Sequence, residues 1–188
     1  ITVYYIIPDI EFCSNKEILR HRAHFGIMQE YARSGLIDNM VILDNKILLE
    51  IAGAGTVASY YEKINYLIYS AIQDIMFCKH TKPEFGKISD PKQISRISTI
   101  GHGSLDSKDE RLFFNLNDIT ESSFLMNIEE EDLNSDDSVV PSCHQIVRSN
   151  NEKGRTSSFA IWHSTTESHF YSIHYTHHIQ SSQQFCLL

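Results

Sequence analysis

Asn45, Tyr61 and Asn65 are of residue types that can contact a planar, polar ligand. Asn45 follows an apolar, strand-like run, and Tyr61 and Asn65 lie four residues apart further along the chain. Residues at i and i+4 share one face of a helix, so Tyr61 and Asn65 would point the same way. An asparagine amide offers both a donor and an acceptor, and an aromatic ring offers a stacking surface. The alternative is that Asn45 is only a loop residue and Tyr61 only part of the core.

Five histidines crowd the end of the chain and form the second candidate group: His163, His169, His174, His177 and His178. On a strand, His174 and His178 would share a face, and His163 could join them across a hairpin to bind zinc. We expect no metal site, because no Cys, Asp or Glu is placed to complete the ligand shell. A Cys143–His144 dyad is not expected either, because sequence neighbours rarely meet productively.

A strand, a helix and a second strand are predicted at the start of the chain. Residues 1–7 are β-branched and aromatic, which predicts a strand buried on both faces, as in a parallel sheet. Ser14 and Glu17 form a capping-box pattern for a helix that ends at Gly35. Residues 37–43 predict the second buried strand. Such units are right-handed parallel crossovers in nearly all known cases, which favours an α/β fold.

A long helix is predicted after the second strand. A short helix over residues 46–51 comes first, and Thr56 can then cap a helix that runs to about Phe77. The apolar stripe of the long helix covers nearly half of its surface, which predicts burial between two layers. A further helix is predicted to be capped by Asp90 or Ser89, to carry Pro91 in its first turn and to end at Gly101.

The second half of the chain carries weaker signals. Residues 112–116 and 123–128 predict strands, and the acidic run over residues 129–138 predicts a solvated loop. Residues 158–164 and 169–179 predict an antiparallel hairpin. We therefore expect this half to form a smaller α+β domain with a mixed sheet.

The composition excludes several classes of function. The chain is 41% hydrophobic and carries a formal net charge of -8, which disfavours direct nucleic-acid binding. Its four cysteines are scattered without a CxxC pair, which fits a reducing cytoplasm. No apolar run reaches the roughly 18 residues that a membrane span requires. No secretory signal is visible either, so we expect a cytoplasmic protein.

Two segments together resemble the tubulin/FtsZ superfamily. Residues 43–51 (LDNKILLEI) are similar to the tubulin stretch that leaves a central strand through Asp-Asn and enters a short helix. Residues 61–68 (YEKINYLI) resemble the start of the tubulin core helix, Tyr-x-x-x-Asn-x-Leu-Ile. The two pieces occur in order and at compatible spacing, and FtsZ and the plasmid and phage relative TubZ share this layout. The resemblance covers residues 1–101, with the helix predicted before Gly101 taken as the one that follows the core helix.

The resemblance implies both an architecture and a ligand. Residues 1–54 would be the end of a Rossmann-like GTP-binding domain, residues 55–78 the central core helix, and residues 79–188 the C-terminal activation domain. The ligand would be GTP or GDP, with Mg²⁺ in the intact parent protein. Asn45 and Asn65 would contact the guanine, and Tyr61 would stack on it.

The resemblance also implies a catalytic loop at the other end of the core helix. In this family, acidic residues of one subunit position a water on the γ-phosphate bound to its neighbour. Asp90 matches the first acidic position, whereas Gln93 replaces the second and Ile88 replaces a usual asparagine. Gln93 can orient water but cannot accept a proton, so hydrolysis would be slow or would use another group such as Glu84. The alternative is that Asp90 is only a helix N-cap.

The resemblance leaves the phosphate site and the cellular role open. The family's glycine-rich phosphate loop is expected upstream of residue 1, and Gly53-Ala-Gly55 is too short to replace it, so this chain alone should bind GTP very weakly. The first functional hypothesis is a subunit of a GTP-dependent filament that stacks head to tail. Its role would be plasmid or phage DNA segregation through a DNA-bound adaptor, with cell division second. The alternative is a non-enzymatic, tubulin-like domain that binds a filament or partner without nucleotide turnover.

Overall fold

The computed structural model describes residues 1–53, 59–105, 107, 109–135, 139–165 and 167–181. Across these residues eight strands form one mixed sheet: β1 (Thr2–Ile7), β2 (Asn39–Asp44), β3 (Phe85–Lys87), β4 (Ile97–Ser104), β5 (Glu110–Leu112), β6 (Glu121–Glu129), β7 (Thr156–Ser164) and β8 (His169–Thr176). The same residues form five α-helices: α1 (Asn15–Ser34), α2 (Asn45–Ala52), α3 (Tyr60–His80), α4 (Glu130–Ser135) and α5 (Val139–Asn151). The predicted α/β fold with a mixed sheet is therefore confirmed.

The sheet runs in the order β1-β2-β4-β8-β6-β7-β3, with β5 paired to β4 beside this path. Strands β1, β2 and β4 are parallel, β8 runs antiparallel between β4 and β6, and β6 and β7 are parallel. Strand β4 pairs directly with β2, where Met40 lies opposite Ile97. The sheet is thus continuous from the first strand to the last. The division into units at residues 54 and 78 stays a prediction.

The first crossover forms as predicted, apart from the burial of its first strand. Ser14 accepts a hydrogen bond from the Glu17 backbone, and the Glu17 carboxylate accepts one from the Ser14 backbone at 2.9 Å, so the capping box is complete. Gly35 ends the helix with φ of 84°, a left-handed conformation that favours glycine. Strand β2 is buried as predicted, whereas β1 is largely half-exposed because it lies at the edge of the described sheet.

Helices cover both faces of the sheet. Leu43 of β2 belongs to the apolar cluster under α2 and α3, whereas Ile42 belongs to the cluster under α1. In β6, Leu125 faces α3 and Met126 packs with α5. Because successive strand residues point to opposite faces, α2 and α3 lie on one side and α1, α4 and α5 on the other. No helix in the described ranges is long and apolar enough to cross a membrane.

Helix α3 is buried along one face only, so its predicted burial between two layers is wrong. Ile64 and Ala71 are buried against the sheet, whereas Tyr61 and Tyr66 are exposed. The helix lies on the outside of a single sheet, and a second layer does not cover its outer side among the described residues. The predicted cap, Thr56, lies outside the described residues.

The predicted helix from Asp90 to Gly101 is wrong. The chain passes from β3 through a loop into β4, whose residues 97–100 are buried. Three of those four residues are β-branched and fit a central strand. The Asp-Pro pattern at residue 90 is a local helix signal, and pairing of β4 with β2, β5 and β8 overrides it.

The predicted hairpin of residues 158–164 and 169–179 is also wrong, although both strands exist. Strand β6 lies between β7 and β8, parallel to the first and antiparallel to the second. The acidic run predicted as a loop begins with α4, and residues 136–138 lie outside the described part of the chain. The strand predicted over residues 112–116 is mostly a buried turn after β5.

Candidate functional site

Asn45 lies at the carboxyl end of β2, where the chain turns into α2. Asp44 is buried, and its carboxylate accepts a hydrogen bond from the Lys46 backbone at 2.9 Å, so Asp44 is the N-cap of α2. Asn45 is half-buried and occupies the first helical position. The capping role that asparagine often takes therefore belongs to Asp44 here, and Asn45 is the residue that follows the N-cap.

Tyr61 and Asn65 lie in the first two turns of α3, and both are exposed. Helix α2 packs against α3. Helix α3 runs antiparallel to β2, because Lys79 near its end lines the same cleft as Asn39 at the start of β2. The start of α3 therefore lies at the same end of the molecule as Asn45. Tyr61 is 70% exposed, so the alternative that it is a core residue is wrong.

A cleft of about 560 Å³ lies at the opposite end of α3. Its floor is apolar and aromatic and includes Trp162 and Tyr175, and its rim is polar and includes Asn39 and Asp90. The Trp162 indole donates a hydrogen bond to the Thr81 carbonyl at 3.4 Å, which ties the loop after α3 to the sheet. The cleft therefore joins the end of α3, the following loop and the amino ends of the parallel strands.

The structure brings Asp90 to this cleft but not Gln93. Asp90 is exposed and lines the cleft, and no helix begins there, so the N-cap alternative is wrong. Gln93 is exposed outside the cleft lining, and its carbonyl accepts a hydrogen bond from the Arg96 guanidinium at 2.7 Å. Glu84 is exposed, and its backbone N–H donates to the Ile161 carbonyl at 2.9 Å.

Burial makes the floor of the cleft a poor place for thiol chemistry. Burial, with a smaller contribution from Asp74, raises the pKa of the Cys78 thiol to about 12. Burial also raises the pKa of Tyr175 and lowers the pKa of Lys79. The Cys78 thiol donates a weak hydrogen bond to Asn127 at 3.6 Å. The cleft can bind a partly apolar group, and its ionisable chemistry is confined to the rim.

The histidines at the end of the chain separate instead of converging. His163 lies 3.5 Å from a Glu130 oxygen, and His169 lies 3.3 Å from an Asp74 oxygen. His174 is fully buried in another network. Within the described ranges, no group of three or more His, Cys, Asp or Glu side chains is arranged to hold a metal ion.

Cys143 and His144 differ in solvent exposure: the thiol is buried and the imidazole is exposed. Cys143 is fully buried on the inner side of α5, and this burial raises the pKa of its thiol to about 11. His144 is exposed, and its ring packs edge-on against Phe159 with centroids 5.0 Å apart. The thiol therefore has neither the exposure nor the lowered pKa of a nucleophile.

A buried network that sequence reasoning missed joins β5, β6 and β8. Glu110 Oε1 lies 2.7 Å from His174 Nε2, and Ser122 Oγ lies 2.7 Å from His174 Nδ1. The Ser172 hydroxyl also donates to the Glu110 carboxylate. Burial alone would raise the pKa of Glu110, but the hydrogen bonds from His174 and Ser172 outweigh it and hold the pKa below its ordinary value.

Gly101 of β4 makes room for this network, and Gly103 makes room for the Phe170 ring beside it. A Cβ at Gly101 would lie 2.6 Å from the Glu110 carboxylate and 2.4 Å from the Ser172 hydroxyl. A Cβ at Gly103 would lie 2.3 Å from the Phe170 ring. Glycine in a strand often marks a close approach, so the G-x-G spacing indicates that neighbouring side chains reach over β4.

Comparison with solved structures finds the same fold in three groups of proteins. An FtsZ dimer from M. jannaschii matches with a TM-score of 0.68 and 10% identity, over 93% of this chain and 54% of that chain. A GTPγS-form protofilament of TubZ from Bacillus thuringiensis serovar israelensis matches with a TM-score of 0.70 and 14% identity, over 98% and 54%. CetZ from Methanosaeta thermophila matches with a TM-score of 0.67 and 14% identity, over 98% and 54%.

No family model and no curated protein matches the sequence. The chain spans about half the length of the solved structures that it matches. At identities this low the likeness concerns the three-dimensional fold, and the mixed sheet with its helices is consistent with the C-terminal part of those proteins. The chain therefore adopts the fold of these FtsZ, TubZ and CetZ structures, which is the fold that the resemblance of residues 43–51 and 61–68 implied.

Proposed function

We propose that this chain is part of the subunit of a GTP-dependent, tubulin/FtsZ-like filament that assembles head to tail. The observation that carries the proposal is the position of the two candidate groups at opposite ends of α3. The 21 residues of that helix make a rod about 30 Å long. A subunit with a nucleotide-facing group at one end and an acidic loop at the other can complete its neighbour's site when copies stack in one direction. Such head-to-tail contacts generate open filaments when the rotation does not close.

The guanine-facing end would consist of Asn45, Tyr61 and Asn65. The exposed Tyr61 ring offers a stacking surface, and the two amides offer donors and acceptors at the same edge. These residue types fit a guanine. Among the described residues no glycine-rich loop precedes a helix, so the triphosphate and its Mg²⁺ would need groups other than these. We therefore expect this chain alone to bind GTP very weakly.

Asp90 would act on the nucleotide of the next subunit. Its carboxylate is exposed at the cleft rim and can accept a hydrogen bond from a water molecule, which orients that water for attack. Gln93 would orient water less directly, because it lies outside the cleft lining and its amide cannot accept a proton. Slow hydrolysis is the expected consequence.

The proposed cargo is plasmid or phage DNA, with cell division as the second choice. A structure of TubZ described as a type III plasmid segregation protein is among those that share the fold. The net charge of -8 disfavours direct contact with DNA, so a DNA-bound adaptor protein would link the filament to its cargo in the cytoplasm.

A non-enzymatic interaction domain is the second candidate function. Two observations favour it: Gln93 replaces the second acidic group, and the helix expected after Asp90 is a loop followed by strand β4. A domain of this kind would bind a filament or a partner through the same fold without turning over nucleotide.

Right-angle light scattering of the full-length gene product with GTP or GDP tests the proposal. We expect a rise that requires GTP and decays slowly as phosphate is released. Tyr61→Ala should raise the GTP concentration needed about 5- to 150-fold, because stacking on a base contributes about 1–3 kcal/mol. Tyr66→Ala is the matched control, since Tyr66 is also on α3 and is 71% exposed. Asp90→Ala should preserve the rise and slow its decay.

The outcomes separate the two functions. No response to either nucleotide would overturn the filament proposal and favour the interaction domain. A GTP-dependent rise that is equally impaired by Tyr61→Ala and Tyr66→Ala would overturn the assignment of Tyr61 to the guanine.

A further inference from the structure

The loop that carries Asp90 has no helix or strand of its own. Residues 88–96 join β3 to β4 without regular structure. The Ser95 N–H donates to the Lys92 carbonyl at 2.8 Å and closes a turn within the loop. Because ordering each residue costs conformational entropy, a segment of this kind keeps one conformation only when groups outside it hold it. The position of the Asp90 carboxylate therefore depends on the groups that bind this loop.

Glu121 binds the loop from the neighbouring part of the sheet. It is the first residue of β6 and is 9% exposed. Its two carboxylate oxygens accept the Lys92 N–H at 3.1 and 3.3 Å, and one of them accepts the Ser95 hydroxyl at 2.6 Å. Burial of a charge is unfavourable unless hydrogen bonds compensate for it, and the donors of these bonds belong to the loop. The Glu121 carboxylate and the loop therefore hold each other in place.

The backbone of Glu121 is itself fixed by the sheet. Glu121 lies opposite Thr156 of β7 and Tyr175 of β8, so β6 is paired on both sides at this residue. The Thr120 N–H, one residue earlier, donates to the Tyr175 carbonyl at 2.9 Å. A carboxylate on a strand that is held from both sides is a firm attachment point for a loop.

A second attachment lies on the other side of Asp90. The Ser89 N–H donates to the Ser158 hydroxyl of β7 at 3.1 Å. Pro91 fixes its own φ and restricts the preceding Asp90 to extended conformations. The chain is thus held one residue before Asp90 by β7 and two residues after it, at Lys92, by β6. Loss of either attachment would release Asp90 on that side.

Tyr175 lies near both carboxylates. It lines the cleft together with Asp90. Burial raises the pKa of Tyr175, and the charges of Glu121 and Asp90 raise it further. Glu121 is buried and accepts hydrogen bonds from the loop, whereas Asp90 is exposed at the cleft rim. The two carboxylates therefore have different roles: Asp90 can meet a water molecule, and Glu121 can fix where Asp90 lies.

We propose that Glu121 is the positioning residue for Asp90. Its carboxylate holds Lys92 and Ser95 against β6, so that Asp90 is presented at one fixed point of the cleft rim. The inference rests on the proposed function, in which Asp90 orients a water molecule on the nucleotide of the next subunit. Glu121 touches neither the water nor the nucleotide and acts through Asp90. Its carboxylate fixes the loop in place of the helix that the Asp-Pro pattern predicted there.

Hydrogen–deuterium exchange of the full-length protein tests the attachment without nucleotide. The Lys92 amide should exchange about 10- to 100-fold faster in Glu121→Ala, because a hydrogen bond to a charged group contributes roughly that factor. Glu121→Gln has nearly the same shape and keeps one acceptor oxygen, so it should fold and show a smaller increase. Glu152→Ala removes a carboxylate that is 67% exposed and is the control, which should leave this exchange unchanged. Unchanged exchange at Lys92 in both Glu121 variants would overturn the proposal.

GTP turnover by the full-length protein tests the consequence for Asp90. Both Glu121 variants should lower kcat, Glu121→Ala by up to roughly 100-fold, because a displacement of about 1 Å can cost that much. The GTP concentration needed for assembly should stay unchanged, since the guanine-facing residues lie at the other end of α3, whereas a general loss of stability would change both quantities. The double variant Asp90→Ala/Glu121→Gln should turn over GTP no more slowly than Asp90→Ala alone, because Glu121 acts through Asp90.

The outcomes separate this inference from the proposed function. Additive losses of rate in the double variant, or a higher GTP requirement without a loss of kcat, would overturn the positioning role. If the protein neither assembles nor turns over GTP, the proposed function fails. Faster exchange at Lys92 in Glu121→Gln would then still show that Glu121 holds the Asp90 loop.

Discussion

Replacing Glu110 tests whether the buried network stabilises the fold. The Glu110 carboxylate accepts from His174 Nε2 at 2.7 Å and from the Ser172 hydroxyl. His174 and Ser172 have no exposed surface, and the Glu110 side chain is 26% exposed. Removal of the carboxylate would therefore leave a buried imidazole and a buried hydroxyl without their acceptor.

The magnitude follows from that geometry. Leaving a buried donor without its acceptor costs roughly 1–3 kcal/mol, and both the imidazole and the hydroxyl lose the carboxylate here. Glu110→Ala should therefore lower the free energy of unfolding by about 3 kcal/mol. Glu110→Gln keeps an acceptor oxygen and loses only the charge, so it should cost about 1 kcal/mol. In a chain of this size these losses correspond to about 6–12 °C and about 2–4 °C in Tm.

The contribution of Glu110 should also depend on pH. The folded-state pKa of Glu110 lies below its ordinary value of 4.5, so folding favours the ionised carboxylate. The stabilisation is fully present above the ordinary pKa and is lost as pH falls through the lower folded-state pKa. The difference in unfolding free energy between the natural chain and Glu110→Gln should hold from neutral pH down to about 4.5 and shrink below it.

Thermal and urea unfolding, followed by circular dichroism, measure these differences. Glu152→Ala is the matched control, because Glu152, just after the end of α5, is 67% exposed and pairs with Arg148 of that helix at 3.2 Å. An exposed pair of this kind contributes about 0–1 kcal/mol. If Glu110→Ala costs no more than Glu152→Ala, or no more than Glu110→Gln, the reasoning about the network is refuted.

Three further predictions, two of them substitutions and one a labelling experiment, concern the packing of other parts of the fold. Gly103→Ala should lower the unfolding free energy by about 1–3 kcal/mol in urea titrations, because its Cβ would lie 2.3 Å from the Phe170 ring. Cys143 should resist alkylation at pH 8 in the folded chain, because it is buried and the pKa of its thiol is raised to about 11. The half-buried Cys13 should react under the same conditions. Peptide mass spectrometry measures the extent of alkylation at both residues. Gln29→Ala should cost about 2 kcal/mol and speed amide hydrogen exchange near residue 180, because the buried Gln29 amide bonds both the N–H and the C=O of that residue.

Each of these three predictions has a control within the same chain. Gly26→Ala should stabilise the chain by up to about 1 kcal/mol, because Gly26 lies within α1 with nothing within 4 Å of its added Cβ. Urea should make Cys143 react as fast as Cys13. Gln73→Ala removes an exposed amide from α3 and should leave exchange near residue 180 unchanged. A Gly103→Ala variant as stable as Gly26→Ala would contradict the close approach over β4.

The candidate site could be placed partly from the sequence. The segment around Asn45 and the helical spacing of Tyr61 and Asn65 are local patterns, so their positions at one edge follow once a strand, a short helix and a long helix are recognised. The partners of Glu110 could not be predicted, because His174 is 64 residues away and meets it only across β4. The outer side of α3 could not be predicted either, since an apolar stripe does not say how many layers cover it.

The sequence by itself determined the elements that depend on nearby residues. The capping box at Ser14, the stop at Gly35 and the periodicity of α3 act within a few turns. Helix α1 therefore forms where it is predicted, and β2 and α3 form within a few residues of their predicted bounds. Only the tertiary structure decided that residues 97–104 form a strand and that β6 separates β7 from β8. The physical reason is that a strand is stabilised by its neighbours in the sheet, which come from distant parts of the chain. Hydrogen bonds and burial contributed by those neighbours outweigh the local helix signal at Asp90 and the short loop that favoured a hairpin.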